Sequence, residues 1–352
     1  MYLNFLNYFR GFAIFLIVMG HSFYITNFFN LSNPIGNPFF RKLFFTMTTG
    51  GTSLFVFISG FLFHHIFYSR GFNFKKFMKN KFKNVFLPYL IIITPIIMIR
   101  FPETLTEKSI NLSDIIRLIL MYLSGALLDS TWYIPFAFVL FISSPIFIRY
   151  IEAKKGKIAV IIIGLLIGMI IHRPAHNLHI NVIQALLYFS PAYCLGIYTS
   201  QNKEKLLPYL KKHNSFIFLL WVGMGIFQVH INKFMNIHKA NMFAYNGIDL
   251  MGIQKIIVCL FFVGLFYKIQ DKKWIFIEKP LSLLADYSFP IFFIHNYFIL
   301  ITKYFLEKYN FTLNFSYLGL IFFTTYICIL SMIFTKIIKL IFKKNSRMII
   351  GG

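Results

Sequence analysis

The chain has 352 residues, of which 58% are hydrophobic, 20% aromatic and only 13% charged, too apolar for a protein whose surface faces water. Its 35 basic and 11 acidic residues give a net charge of +24, an excess that would suit nucleic acid. The Lys residues, however, fall in short segments between apolar runs, a topology signal in membrane proteins. A soluble enzyme and a nucleic-acid binder are thereby excluded, and an all-α, polytopic membrane helix bundle forming a single domain over residues 1–352 is expected.

The first apolar run, residues 11–28, is preceded by Arg10 and contains His21. A helix advances about 1.5 Å and about 100° per residue, so His21 lies roughly 16 Å beyond Arg10 and within about 20° of the same face. In a hydrocarbon core about 30 Å thick, a helix entering near Arg10 carries His21 to mid-depth. An ionisable group there is a functional hypothesis by default. Burial keeps an imidazole neutral, which suits a general base taking a proton from a hydroxyl or thiol; the alternative is a histidine bonded to another helix for packing. Arg10 is suited to phosphate oxygens, or else serves as a basic anchor at the headgroups. No small-residue cleavage site follows this run, so it is expected to stay as the first helix.

Further apolar runs cover residues 50–69, 84–99, 132–148, 158–171, 182–199, 214–230, 250–267, 281–301 and 315–342, ten spans in all. Residues 115–128 are apolar but short, flanked by Asp114, Arg117 and Asp129. Counting ten spans with the amino terminus in the cytoplasm puts 24 basic residues in inner segments and ten in outer ones. That bias favours both termini inside and a multi-pass protein of the plasma (inner) membrane. An eleventh span would turn every later Lys-rich loop outward, so residues 115–128 are expected to be re-entrant or interfacial.

Within the second run, Gly50, Gly51, Ser53, Ser59 and Gly60 are small enough for another helix to approach closely. The basic segment Phe74 to Tyr89, with Lys79, Lys81 and Lys83, suits anionic membrane lipid or a nucleotide phosphate. Asp129-Ser130-Thr131-Trp132-Tyr133 opens the fourth run, either as part of an aromatic belt or as a plate for a sugar ring. His172, His176 and His179 form the one histidine cluster, but Pro174 interrupts it and no carboxylate or Cys adjoins, so a solvated loop is preferred to a metal site. Cys194, Cys259 and Cys328 all fall in apolar runs and read as packing residues. His295, about fourteen residues beyond Pro280, reaches mid-depth from the same side as His21, suggesting one shared polar cavity.

Taken together, Arg10 with His21, the stretch Leu54-Phe55 to Ser59-Gly60-Phe61, the basic run ending in Pro88-Tyr89, Trp132-Tyr133, and Tyr287-Ser288 leading to Ile294-His295 occur in an order that resembles the acyltransferase-3 family of integral membrane acyltransferases, in particular its sugar O-acetyltransferases. The resemblance implies transfer of an acetyl group from cytoplasmic acetyl-CoA to a hydroxyl of a cell-surface glycan or lipid-linked sugar, with no permanently bound cofactor. It places the catalytic histidine at His21 and the donor-associated arginine at Arg10. Lys81 is expected beside Arg10 on the acyl-CoA phosphates, and Trp132 and His295 in the acceptor pocket. Two departures stand out: Thr52-Ser53 replaces a frequent acidic residue, and Lys79, Lys81 and Lys83 replace arginines, losing the bidentate fork. A polysaccharide flippase is the rival reading, since it too needs polar groups at mid-depth; no matched pair of interrupted helices in two halves supports it.

Overall fold

In a computed structural model of the protein, the described residues are 3–25, 37–105, 111–175, 182–272, 274–311, 313 and 316–351. The chain runs through α1 (Asn4–Ile25), α2 (Pro38–Thr48), α3 (Gly51–Leu62), α4 (Phe74–Lys81), α5 (Leu87–Arg100), α6 (Leu112–Ser124), α7 (Tyr133–Ile142), α8 (Ser144–Glu152) and α9 (Lys157–Ile171). After the short strand β1 (Arg173–Pro174) come α10 (Val182–Gln201), α11 (Lys203–Lys212), α12 (Asn214–His230), strand β2 (His238–Lys239), α13 (Met251–Ile269), α14 (Ile275–Asp286), α15 (Ser288–Lys308), α16 (Tyr317–Phe342) and α17 (Ser346–Ile350). The fold is the expected helical polytopic bundle.

Seven helical segments among the described residues are long and apolar enough to cross a membrane, or eight if α7 and α8, bent by 55° at Ser143, count as one. The remaining two of the ten expected positions are held by α9 and α12, with 15 and 17 residues. Both fall short of the roughly 20 residues that a perpendicular span needs. Residues 115–124 of the piece expected to be re-entrant or interfacial fall in α6, which at 13 residues is shorter still; it is started by a capping box between Asn111 and Asp114, and most of its apolar side chains, Ile115, Ile116 and Ile119 among them, are exposed. The helix expected over 281–301 is two helices, because the chain breaks at Tyr287 between α14 and α15.

The first helix is the axis of the bundle. In its apolar window 72% of the residues are buried, more than in any other long helix, and α3, α13, α14, α15 and α16 pack around it. Close approach between α3 and α10 depends on Gly60 and Gly196: a Cβ on the first would collide with the Tyr193 carbonyl, and on the second with the Phe57 carbonyl. Aromatic rings fill what remains, as where Phe9 meets Phe57, Phe262 and Phe266.

The basic connections gather at one end. The Phe5 amide donates to Gln270 (3.2 Å), Lys157 to Gln201 (2.9 Å) and Lys211 to Asp271 (2.8 Å), and His64 is 2.9 Å from Ser200. The start of α1 and the Lys-rich connections before α9, in α11 and after α13 therefore share a face of the molecule. His21, the α2–α3 elbow and β1–β2 lie toward the other.

Candidate active site

Arg10, Ile14, Ile17 and His21 recur at helical spacing along one stripe of α1. The two ends of that stripe open into separate cavities. At the basic end Arg10 lines a space of about 400 Å³ with Asn7, Ile58, Leu62, His65 and Arg70, and its guanidinium donates to Asn7 (3.2 Å). At the other end His21 lines a cavity of about 420 Å³ together with Thr49, Gly50, Thr52, Asp129, Arg173, Asn236 and His238. A smaller recess of about 30 Å³ continues inward from it past His21, bounded by Phe55, Ser130, Trp132, Tyr133 and Phe292. On α3 the two systems nearly meet. Phe55 borders the His21 recess and Ile58 the Arg10 cavity, three residues or roughly 4.5 Å of helix rise apart.

His21 is half-buried and faces the cavity. Its ring lies 5.3 Å, centroid to centroid, from that of His295, which is fully buried and lines neither space. His295 Nδ1 sits 2.8 Å from the Ile291 carbonyl, one turn back on α15. A carbonyl only accepts, so Nδ1 carries the hydrogen and Nε2 presents a lone pair. That nitrogen has no hydrogen-bond partner among the described residues. The neighbouring Asn296 donates to Ser130 Oγ (2.8 Å), and Ser130 donates to the Phe292 carbonyl (3.3 Å), tying the Asp129–Trp132 turn to α15. Trp132 forms the floor of the recess, stacked on Phe189.

The wall of the larger cavity is set by the α2–α3 elbow. Gly50 has φ +87°, and a Cβ there would collide with the Lys255 side chain. Lys255, 4% exposed on α13, donates to the Thr46 carbonyl at 3.0 Å, satisfying the end of α2. His238, in the connection between α12 and α13, is held down at about 4 by desolvation and then by the Arg173 guanidinium. An imidazole whose folded value lies below its unfolded one is stabilised neutral, so its contribution is complete above about 6.5 and is lost as the pH falls through about 4.

The sequence-predicted residues divide accordingly. His21 and Trp132 border one recess, and His295 stands behind His21. Arg10 is in the other cavity. Lys81 is not beside it: its ammonium sits among the rings of Phe141 (4.5 Å), Phe67 (4.9 Å) and Phe77 (5.4 Å), while Arg70 and His65 take the place beside Arg10. The loop expected to be solvated at His172 is instead buried there, with His172 Nε2 2.9 Å from the Gly247 carbonyl; His176 and His179 lie outside the described residues. Arg173 counted in the sequence only as an outer basic residue, with no site role. It carries its guanidinium 4.8 Å over the Trp132 ring and lines both spaces that His21 lines.

No curated protein and no solved structure matches the chain. A family model described as an acyltransferase domain does, over residues 3–333. With a match over nearly the whole helical bundle, the chain belongs to the acyltransferase-3 family and is an integral, multi-pass membrane acyltransferase.

Proposed function

We propose that the protein is an O-acetyltransferase that moves an acetyl group from cytoplasmic acetyl-CoA to a hydroxyl of a cell-surface glycan or lipid-linked sugar, with His21 as general base. The observation that carries this reading is the pair of cavities at the two ends of one α1 stripe, cationic at Arg10 and imidazole-bearing at His21. Arg10 and Arg70 offer planar forks to phosphate oxygens, so the donor enters at the basic end, which the charge bias makes cytoplasmic. Its acyl arm follows the stripe past Ile14 and Ile17. Because side chains of α1 and α3 close the gap between the cavities, the arm displaces them as it enters.

At His21 the acceptor oxygen attacks the thioester carbon. A carbon–oxygen bond forms, the carbon–sulfur bond breaks, His21 takes the hydroxyl proton, and that proton leaves with the coenzyme A thiolate. As the imidazolium forms, His295, its ring 5.3 Å away centroid to centroid, offers an Nε2 lone pair that can accept an N–H from it. Purified protein given labelled acetyl-CoA and a glycan acceptor should transfer label. His21→Ala should lower the rate by at least about 100-fold while the protein still elutes as folded. Transfer at the wild-type rate by that variant would refute the role of His21.

A further inference from the structure

Residues 172–175, which follow α9, are tied down at several points. His172 is buried against Gly247; Arg173–Pro174 pair in parallel with His238–Lys239; and the Ala175 amide donates to the Lys239 carbonyl at 2.9 Å. Lys239 itself is 3% exposed, and its ammonium donates to the Ile170 carbonyl at 2.8 Å and to that of Ala244. Gln184, from α10, adds a donor to the Lys239 carbonyl at 3.3 Å. A buried ammonium is costly unless its donors are satisfied; here they fasten backbone to backbone, and the side chain that the fastened strand presents to the cavity is Arg173.

That guanidinium lies over Trp132, the indole that floors the recess beside His21. The cavity volume, about 420 Å³, falls within the range of about 300–1,000 Å³ usual for small-molecule sites. Its lining offers Arg173 and the Asn236 amide, and Asp129, itself exposed, is its single carboxylate among the described residues. A planar fork held rigidly beside an aromatic plate is suited to a sugar that carries an anionic oxygen group: the ring packs on the indole and the oxygens meet the guanidinium.

We propose that the acceptor is an acidic saccharide whose carboxylate or phosphate is held by Arg173 while a neighbouring hydroxyl meets His21. This rests on the reading that the cavity takes an acceptor hydroxyl. The anionic group has two sources, a carboxylate on the sugar ring or a phosphate joining the sugar to its carrier.

The test compares methyl glucuronide, glucose 1-phosphate and neutral methyl glucoside on the full-length protein in nanodiscs. Binding is read by calorimetry on His21→Ala, where no transfer intervenes, and transfer is read as kcat/KM on the parent protein. One or both anionic sugars should bind and react about tenfold or more better than the glucoside, the discrimination a charged hydrogen bond provides. Preference for the glucuronide assigns the ring carboxylate, and for glucose 1-phosphate the linking phosphate. Arg173→Gln should collapse the anionic-to-neutral ratio to near unity and Arg173→Lys should keep part of it. Equal or weaker binding of both anionic sugars overturns the proposal, as does an unchanged ratio in Arg173→Gln, which would leave Arg173 a structural or thioester-facing role. Intact selective binding without acetyl transfer to any acceptor would instead refute the acetyltransferase reading and leave the acidic-ligand site standing.

Discussion

His21 lines the cavity and its ring lies 5.3 Å from that of His295, so the two imidazoles stand as a pair and not as two separate pocket residues. Among the described residues no carboxylate borders the inner recess, where Thr52 stands on α3. His295 supplies an acceptor in that neighbourhood, and the bond from Nδ1 to Ile291 fixes which nitrogen offers it. His295→Phe, which keeps ring volume and removes the lone pair, should lower kcat about tenfold or more with little change in KM for acetyl-CoA. His295→Gln, whose amide oxygen can accept, should recover part of the loss. A wild-type kcat in the phenylalanine variant would remove His295 from the mechanism. The His21 stripe was legible because a helix repeats by geometry alone. Arg173 was not, because its position depends on pairing with a strand 65 residues later, and Arg173↔His238 register leaves no local periodicity. Lys239 misled in the same way: it counted among the outer basic residues in the sequence, yet it is a buried donor to carbonyls, as is Lys255.

At the scale of elements, hydropathy located all the long helices but not how they break. The α7–α8 bend and the division at Tyr287 each stand just before a proline, Pro145 and Pro290, whose ring removes a helical N–H and crowds the carbonyl four residues back, a local signal that hydropathy does not weigh. The small residues of α3 were readable as a packing face, and Gly60 against α10 is the sharpest instance. Gly60→Ala forces a Cβ into the Tyr193 carbonyl, and overpacking of this kind costs about 1–3 kcal/mol. The thermal midpoint of the purified variant should fall by several degrees. Gly223→Ala, on α12 with nothing near its Cβ, should leave the midpoint unchanged or raised, since alanine favours helix. Equal midpoints for Gly60→Ala and the parent would contradict the close α3–α10 contact.

The molecule as a whole is polarised. One end holds the start of α1, the Arg10 cavity and the gathered lysines; the other holds the α2–α3 elbow, the β1–β2 clip and the His21 cavity. Between them stands less than one turn of packed α3 side chains. On the proposed function, donor and acceptor approach from opposite faces of the bilayer and meet at His21. The most direct measurement uses oriented proteoliposomes with labelled acetyl-CoA confined to the Arg10 side and the acceptor glycan confined to the His21 side. Label should reach the glycan across the sealed membrane with wild-type protein and fail to do so with His21→Ala. Transfer only when both substrates share one compartment, or transfer undiminished without His21, would contradict the account.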